Sequence, residues 1–396
     1  MHRNCIVLVT ALLGLGMVLP RSSCFSLHLL RPVSQTVPSS SCTERAPQIW
    51  RRGIFVLSPL SSPLLPTFPL SKSGSSMVTM VADMQLGKES TAREVLEHFD
   101  TDLRGRTAVV TGGSTGLGLE TCKALASRGC RVVLCALEQG QGEEAARRNI
   151  IGEDGIVGYD AITTPDIVVR EVNLADFASI ENFATSVLEE EERVDLLVLN
   201  AGVCGAQGET KQGLEMQMGV NHVGHALLCR RLLPRMRKTE NHVTTRVIAV
   251  SSMGHRFGIV DPRDLQCTYT KFFGWGSYLH SKLANVLFIK ALHANLKAAG
   301  ASNVVACSLS PGIVATGIWA ATPSLLRPAL PFLCDRDVSR GAATTVWCCV
   351  SPTCGEFDTA GGAYCANCAI SEPSAAARDA SLQGALWEAT TRCIEE

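Results

Sequence analysis

The sequence predicts an α/β protein built on one doubly wound parallel sheet with helices on both faces. Three observations predict it. From about Asp102 onward, short apolar runs alternate with longer helical patterns. Several of those runs are almost continuously apolar, as strands covered on both faces must be. The first run, Thr107 to Thr111, opens into a glycine-rich turn and then an apolar-periodic segment, a strand–turn–helix passage whose free backbone N–H groups suit a pyrophosphate.

Taken in order, the chain begins with an apolar run, Ile6 to Leu19, between a basic start at Arg3 and a small-residue exit at Ser22-Ser23-Cys24. It is shorter than the span of about 20 residues that crosses a membrane and matches a signal-peptide core, so residues 1–23 are read as a signal peptide. Residues 24–80 are rich in Ser, Pro and Arg with Glu44 and almost no other acid near it, which reads as a disordered, transit-like extension. The pair resembles the two-part presequences of complex plastids; an ordinary secretory leader, with an endoplasmic-reticulum or secretory location, is the alternative. Residues 81–101 read as a linker or short helix, and 102–396 as the folded domain. Its expected strands are Thr107 to Thr111, Arg131 to Cys135, Ile167 to Val172, Val194 to Asn200, Thr244 to Ser251 and Asn303 to Leu309. Its expected helices are Leu117 to Arg128, Gly142 to Ile150, Phe177 to Glu192, Leu214 to Arg235 and Ser277 to Ala299.

With 36 basic and 37 acidic residues there is no electrostatic case for a nucleic-acid partner, and a small molecule is expected instead. Of 17 cysteines, Cys122, Cys135, Cys204, Cys229 and Cys307 fall inside apolar patterns, where cysteine behaves as a small hydrophobe. Cys365-x-x-Cys368 has metal or redox spacing, but one such pair does not make a site, and no metal is expected.

Two segments carry the chemistry. In Thr111-Gly112-Gly113-Ser114-Thr115-Gly116-Leu117-Gly118 the glycines permit the bend and the close approach of backbone to phosphate and of helix to sheet. In Tyr278-Leu279-His280-Ser281-Lys282 a phenol and an ammonium lie four residues apart on one helical face, where the cation favours the phenolate. Asn200-Ala201-Gly202 falls at the end of the fourth strand, beside the expected crevice. His222, His225, His255 and His280 form no ligand spacing and read as packing or surface residues.

These segments together resemble the short-chain dehydrogenase/reductases. Val220 to His225, Ser251 to His255, Tyr278 to Asn285 and Ser310-Pro311-Gly312-x-Val314-x-Thr316 are similar to the retinol-dehydrogenase-like branch, which includes WW-domain oxidoreductases; the resemblance covers about residues 104–392. It implies an enzyme that transfers hydride between NADP or NAD and a carbonyl or alcohol carbon. Tyr278 would be the general acid and base, Lys282 would lower its pKa and hold the ribose, Ser252 rather than Ser251 would bind the substrate oxygen, and Asn221 would hold a water in the proton relay. Thr111 to Gly118, Asn173, Leu174, Asn200, Ala201, Gly202, Tyr278, Lys282, Pro311, Gly312, Val314 and Thr316 would line the coenzyme.

The chain departs from the branch at three places. Leu137-Glu138 replaces the basic residue that meets the NADP 2′-phosphate, which pushes toward NAD; Arg128 and Arg131 remain candidate phosphate partners, and NADP stays slightly ahead on the strength of the branch. Asn173-Leu174 replaces Asp-Leu beside adenine, and Ser310 replaces a histidine. Residues 313–335, with Trp319, Leu325, Leu330 and Phe332, are the implied substrate lid. Their apolar character points to a retinol-like or lipid-aldehyde substrate and is compatible with peripheral membrane association. Homo-oligomers are common in the superfamily. Two further readings follow from the resemblance: a nucleotide-binding regulatory or scaffold protein of the plastid envelope, which would not need the proton relay, and a protochlorophyllide reductase-like enzyme.

Overall fold

The computed structural model describes residues 85–396, apart from 153–154, 239–243, 269–273, 315, 317–333, 357–360 and 396. The signal-like and transit-like segments and most of the lid therefore lie outside the described residues.

The chain enters through α1 (Ala92–His98), started by a capping box in which Thr91 and Glu94 exchange hydrogen bonds. There follow β1 (Thr107–Thr111), α2 (Gly116–Ser127), β2 (Arg131–Ala136), α3 (Gln139–Ala145), β3 (Asp166–Glu171), α4 (Phe177–Glu190) and β4 (Leu196–Leu199). The second half adds α5 (Gly224–Arg237), β5 (Thr245–Val250), α6 (Gly274–Ala298), β6 (Val304–Ser310), α7 (Val338–Val350), β7 (Ala363–Ala366), β8 (Ala369–Ser371) and α8 (Ala380–Glu395). The strands form one sheet in the order β8-β7-β6-β5-β4-β1-β2-β3. Every pairing in it is parallel except β7 with β8, so an antiparallel edge strand closes a sheet expected to be wholly parallel.

Alternation along the strands divides the core. Ala108, Val110, Val132, Leu134, Val198 and Ile248 pack on one face with α1, α2 and α7. Val109, Val133, Leu197, Leu199, Val247 and Ala249 pack on the other with α4, α5 and α6. The six expected strands are all present. The expected helix Leu214 to Arg235 is instead a short α-turn, Met216–Met218, and a π-turn, Gly219–Val223, leading into α5. Tight packing accompanies the break: a Cβ on Gly224 would lie 2.5 Å from the Leu174 carbonyl oxygen, and one on Gly219 2.3 Å from Thr210.

The chain runs from β1 outward to β2 and β3, then returns to place β4 on the other side of β1. That reversal opens a crevice beyond the carboxyl ends of β1 and β4, where open α/β sheets hold their ligands. Among the described residues no helix is long and apolar enough to cross a membrane.

Candidate active site

The glycine-rich turn hangs from β1 and is fastened on both sides. Gly113 N–H donates to Cys135 O of β2 at 2.9 Å, and Asn200 Nδ2 donates to Thr111 O at 2.8 Å. Gly112 and Gly116 adopt φ of +65° and +55°, a region that side chains resist. A Cβ on Gly118 would lie 2.2 Å from Gly112 O and 2.5 Å from Asn200 Nδ2, so only glycine lets α2 come this close to the turn. Thr115, at the N-cap of α2, makes no side-chain capping bond, so the first N–H groups of the helix keep their donor capacity and the positive end of its dipole faces the crevice. These features fit a coenzyme pyrophosphate. Thr316 packs against Gly116, and Val314 and Leu117 meet over Gly341 of α7, which brings part of the Pro311 to Thr316 motif to the same turn.

Beneath the turn, Thr111 Oγ1 accepts the Asn200 and Ala201 N–H groups at 2.9 and 3.0 Å and meets His225 Nε2 at 2.9 Å. His225 Nδ1 meets the Asn221 carbonyl oxygen at 3.1 Å. Burial pushes the His225 pKa down to about 3, so the ring is neutral, donating from Nδ1 and accepting the Thr111 proton at Nε2. The histidines are packing residues, as expected, but His225 also joins the Asn200 loop to the Asn221 turn. His222 meets Thr390 Oγ1, and His255 accepts the Ser374 N–H.

Asn221 lies in the π-turn and is fully buried. Its Oδ1 accepts Val203 N–H at 2.8 Å, while Nδ2 donates to Val203 O at 2.9 Å and Ser281 Oγ at 3.0 Å. Both amide protons are thus committed to protein, and the side chain holds the loop after Gly202 against α6. A Cβ on Gly202 would fall 3.3 Å from Asn221 Oδ1 and 3.4 Å from Lys282 Nζ, so this glycine leaves the two side chains room to approach one another.

Tyr278 and Lys282 occupy successive turns of α6, with the Lys282 ammonium 5.6 Å from the centre of the Tyr278 ring. Lys282 is 3% exposed, and its Nζ donates to Val250 O, at the end of β5, at 2.9 Å. Burial lowers its pKa to about 8. The Tyr278 hydroxyl hydrogen-bonds the Ser252 side chain. Ser252 Oγ also accepts Gly254 N–H at 3.0 Å, so it caps the 3-10 turn Met253–Phe257 while facing the phenol. Ser251 instead spends its hydroxyl on Lys282 O at 2.6 Å. The geometry thus puts Ser252, and not its neighbour, beside Tyr278.

Two expectations are corrected. Lys282 does not bring the Tyr278 pKa below its ordinary value: burial pushes the phenol up, the nearby Cys204 adds to this, and only the Ser252 hydrogen bond opposes it. Arg128 and Arg131 do not reach the 2′-phosphate position. They lie at the amino end of β2, on the order of 15 Å from its carboxyl end, and Arg131 is bound there to Asp166 and Glu191 at 2.7 Å each. At the carboxyl end stand the exposed Leu137 and Glu138, whose carboxylate accepts Gln141 Nε2. Asn173 Oδ1 accepts the Ala175 N–H at 2.9 Å, and Leu174 is buried.

Two neighbours of the site are missed by motif reading. The Cys204 thiol lies near both Tyr278 and Lys282, and burial pushes its pKa up to about 12. Its signal is its position, two residues beyond Gly202. Arg336 donates to Pro311 O and Asn367, and a Cβ on Gly312 (φ +88°) would strike its guanidinium, so it braces the Pro311-Gly312 bend. An arginine at the end of an apolar stretch was the signal there.

Residues 106–324 match the short chain dehydrogenase family. The chain is 35% identical to Retinol dehydrogenase 11 of Mus musculus over 294 residues, 73% of this chain and 86% of the mouse protein. It is 36% identical to Dehydrogenase/reductase SDR family member 13 of Bos taurus over 298 residues, 73% of each chain. WW domain-containing oxidoreductase of Gallus gallus is 33% identical over 319 residues, 78% of this chain and 72% of the chicken protein. Among solved structures, a Mycobacterium Paratuberculosis protein superposes with a TM-score of 0.56 at 29% identity, covering 74% of this chain and 95% of its own. A short-chain type dehydrogenase/reductase from Mycobacterium marinum shares the fold, with a TM-score of 0.50 at 20% identity over 68% of this chain and 96% of its own. The chain therefore belongs to the short chain dehydrogenase family, in its retinol-dehydrogenase-related branch, and is an NAD(P)-dependent oxidoreductase.

Proposed function

We propose that the enzyme interconverts a carbonyl and an alcohol on an apolar or amphipathic small molecule, with Tyr278 as acid and base, Ser252 as the hydroxyl that orients the reacting oxygen, and Lys282 as the cation beside them. The observation that carries this reading is the convergence of three groups in one corner: the Lys282 ammonium lies 5.6 Å from the centre of the Tyr278 ring, and the Ser252 side chain lies beside the phenol. Bound in the crevice, the nicotinamide would supply or accept hydride at its C4 carbon. Because burial keeps Tyr278 protonated, the phenol is ready to give its proton to a carbonyl oxygen during reduction, and it takes that proton back during oxidation. Ser252 holds its oxygen with the Gly254 N–H and can turn its own proton toward the substrate oxygen. With one ammonium proton on Val250 O, Lys282 has two more donors for the ribose. Asn221, with both amide protons committed, acts by fixing the Val203 loop and Ser281 rather than by presenting its side chain to a water.

The finer choices rest on separate observations. The carboxylate of Glu138 at the end of β2, and the displacement of Arg128 and Arg131 to the far end, support NAD over NADP, the reverse of the preference drawn from the branch. An apolar substrate is supported by the sequence around Trp319 to Phe332 and by relatives named as retinol dehydrogenases. The test is steady-state turnover of retinal, long-chain aldehydes and short hydrophilic carbonyls with NADH and NADPH, in the unaltered enzyme and in Leu137→Arg. NADH should be preferred, with long apolar carbonyls turned over best, and Leu137→Arg should move the preference toward NADPH by about tenfold, equivalent to about 1.4 kcal/mol. An unaltered enzyme that prefers NADPH, or one that accepts only hydrophilic carbonyls, contradicts the corresponding choice while leaving the acid/base assignment standing.

A further inference from the structure

On the sheet face covered by α7, cysteines from four segments converge in the core. Cys307 lies on β6 and Cys365 on β7, where the register Cys307↔Ala363 and Leu309↔Cys365 turns both side chains to the same face. Cys348 lies in the last turn of α7, and Cys354 in the 3-10 turn Thr353–Gly355 that follows. All four are buried, at 1%, 0%, 0% and 0% exposure for Cys307, Cys348, Cys354 and Cys365. The sulfurs of Cys307, Cys348 and Cys354 all lie within 4.8 Å of one another, and those of Cys307 and Cys354 are 3.7 Å apart. Cys365 lies beside the trio on the same sheet face, but its sulfur is not within 4.8 Å of all three. The other half of the sequence pair, Cys368, is not in the group; it sits past the turn at Asn367, where its N–H bonds Thr344.

We propose that Cys307, Cys348, Cys354 and Cys365 form a structural zinc site. Four thiolates at about 2.3 Å from a tetrahedral zinc ion have sulfur–sulfur edges of about 3.8 Å, and the Cys307–Cys354 edge is already at that length. Closing the other edges requires the trio to contract from no more than 4.8 Å and Cys365 to turn inward. A sulfur-only, tetrahedral and water-free donor set selects zinc over the oxygen-seeking cations and leaves no open position for a substrate, which makes the site structural. Binding exchanges four S–H bonds for four Zn–S bonds, releases four protons and leaves a net charge of −2. Arg246, whose Nη1 donates to Cys348 O at 2.9 Å, stands beside the group to offset part of it. The ion would tie β6, β7 and the end of α7 together below Ser310-Pro311-Gly312, on the sheet face opposite α6 and its Tyr278 and Lys282.

The full chain, purified under reducing conditions without chelators, tests this by elemental analysis, X-ray absorption and cobalt substitution. The expected result is one zinc per chain in an all-sulfur shell at about 2.3 Å, with cobalt giving the absorption of a tetrahedral thiolate site. Cys354→Ser should lose the metal, whereas Cys368→Ser should keep it. Should Cys354→Ser fail to fold, chelation of the unaltered chain supplies the test: its melting temperature should fall and recover on adding zinc. A folded, metal-free chain that is indifferent to zinc and chelator overturns the proposal. So does a Cys307–Cys354 disulfide in the reduced preparation, or an unchanged cobalt spectrum in a folded Cys354→Ser.

Discussion

The Thr111 hydroxyl ends β1 by accepting two backbone N–H groups of the Asn200 loop while giving its proton to His225, which in turn holds the Asn221 carbonyl. Thr111→Val keeps the shape and removes the oxygen, leaving the Ala201 N–H and a His225 ring nitrogen without that partner, while the Asn200 N–H keeps Val198 O. At about 1–3 kcal/mol for each unsatisfied group, the variant should lose on the order of 3 kcal/mol, read as a lower urea midpoint with an unchanged slope, and coenzyme should bind more weakly. An unchanged midpoint would remove Thr111 from this role. Tyr278 and Lys282 are legible in the sequence because helical periodicity alone puts residues four apart on one face. Nothing local joins Thr111 to His225, or Cys204 to Lys282; those contacts exist only once β1, β4 and the turns before α5 and α6 are assembled. The same holds for the Tyr278 pKa: spacing reveals the neighbouring cation but not the burial that pushes the phenol up.

At the scale of elements, the β1–turn–α2 unit depends on how closely the helix start approaches the turn. Gly118→Ala would place a methyl group 2.2 Å from Gly112 O, forcing α2 outward and spreading its N–H groups away from a bound pyrophosphate. Coenzyme affinity should drop by more than tenfold, above about 1.4 kcal/mol. Gly384→Ala, on an exposed stretch of α8 with open space around it, is the control and should gain up to about 1 kcal/mol of stability. Equal behaviour of the two variants in a coenzyme titration would contradict the packing argument. Five strands, β1, β2, β4, β5 and β6, are legible because burial on both faces makes them nearly continuously apolar; β3, at the sheet edge and only half-buried, shows through Ile167-Val168-Val169. β7 and β8 are not legible, since Ala363–Ala366 and Ala369–Ser371 are only four and three residues long, too short for an apolar run to stand out. α7 escapes for another reason: Thr344, Thr345 and Val346 give it weak helical propensity, and its burial in the sheet-facing core compensates.

Across the whole molecule, the carboxyl edge of the sheet gathers what the sequence scatters. The ends of β1, β4 and β5 carry the glycine-rich turn, Asn200 to Gly202 and Ser251-Ser252, and α6 lays Tyr278 and Lys282 over that edge. The rest of the chain supports this arrangement, with α7 and the thiol cluster on one face and α4, α5 and α6 on the other. The fold class was legible because it rests on short segments with strong local chemistry; the placing of Arg128 and Arg131 at the amino end of β2, away from the crevice, was not, because it depends on how the strand lies in the sheet. On the proposed mechanism, hydride transfer needs the Tyr278 phenol. The most direct measurement is single-turnover reduction of a long-chain aldehyde by bound NADH, comparing the unaltered enzyme with Tyr278→Phe at matched coenzyme occupancy. The variant should still bind coenzyme but transfer hydride about 10²–10⁴ times more slowly; transfer at an undiminished rate would remove the phenol from the reaction.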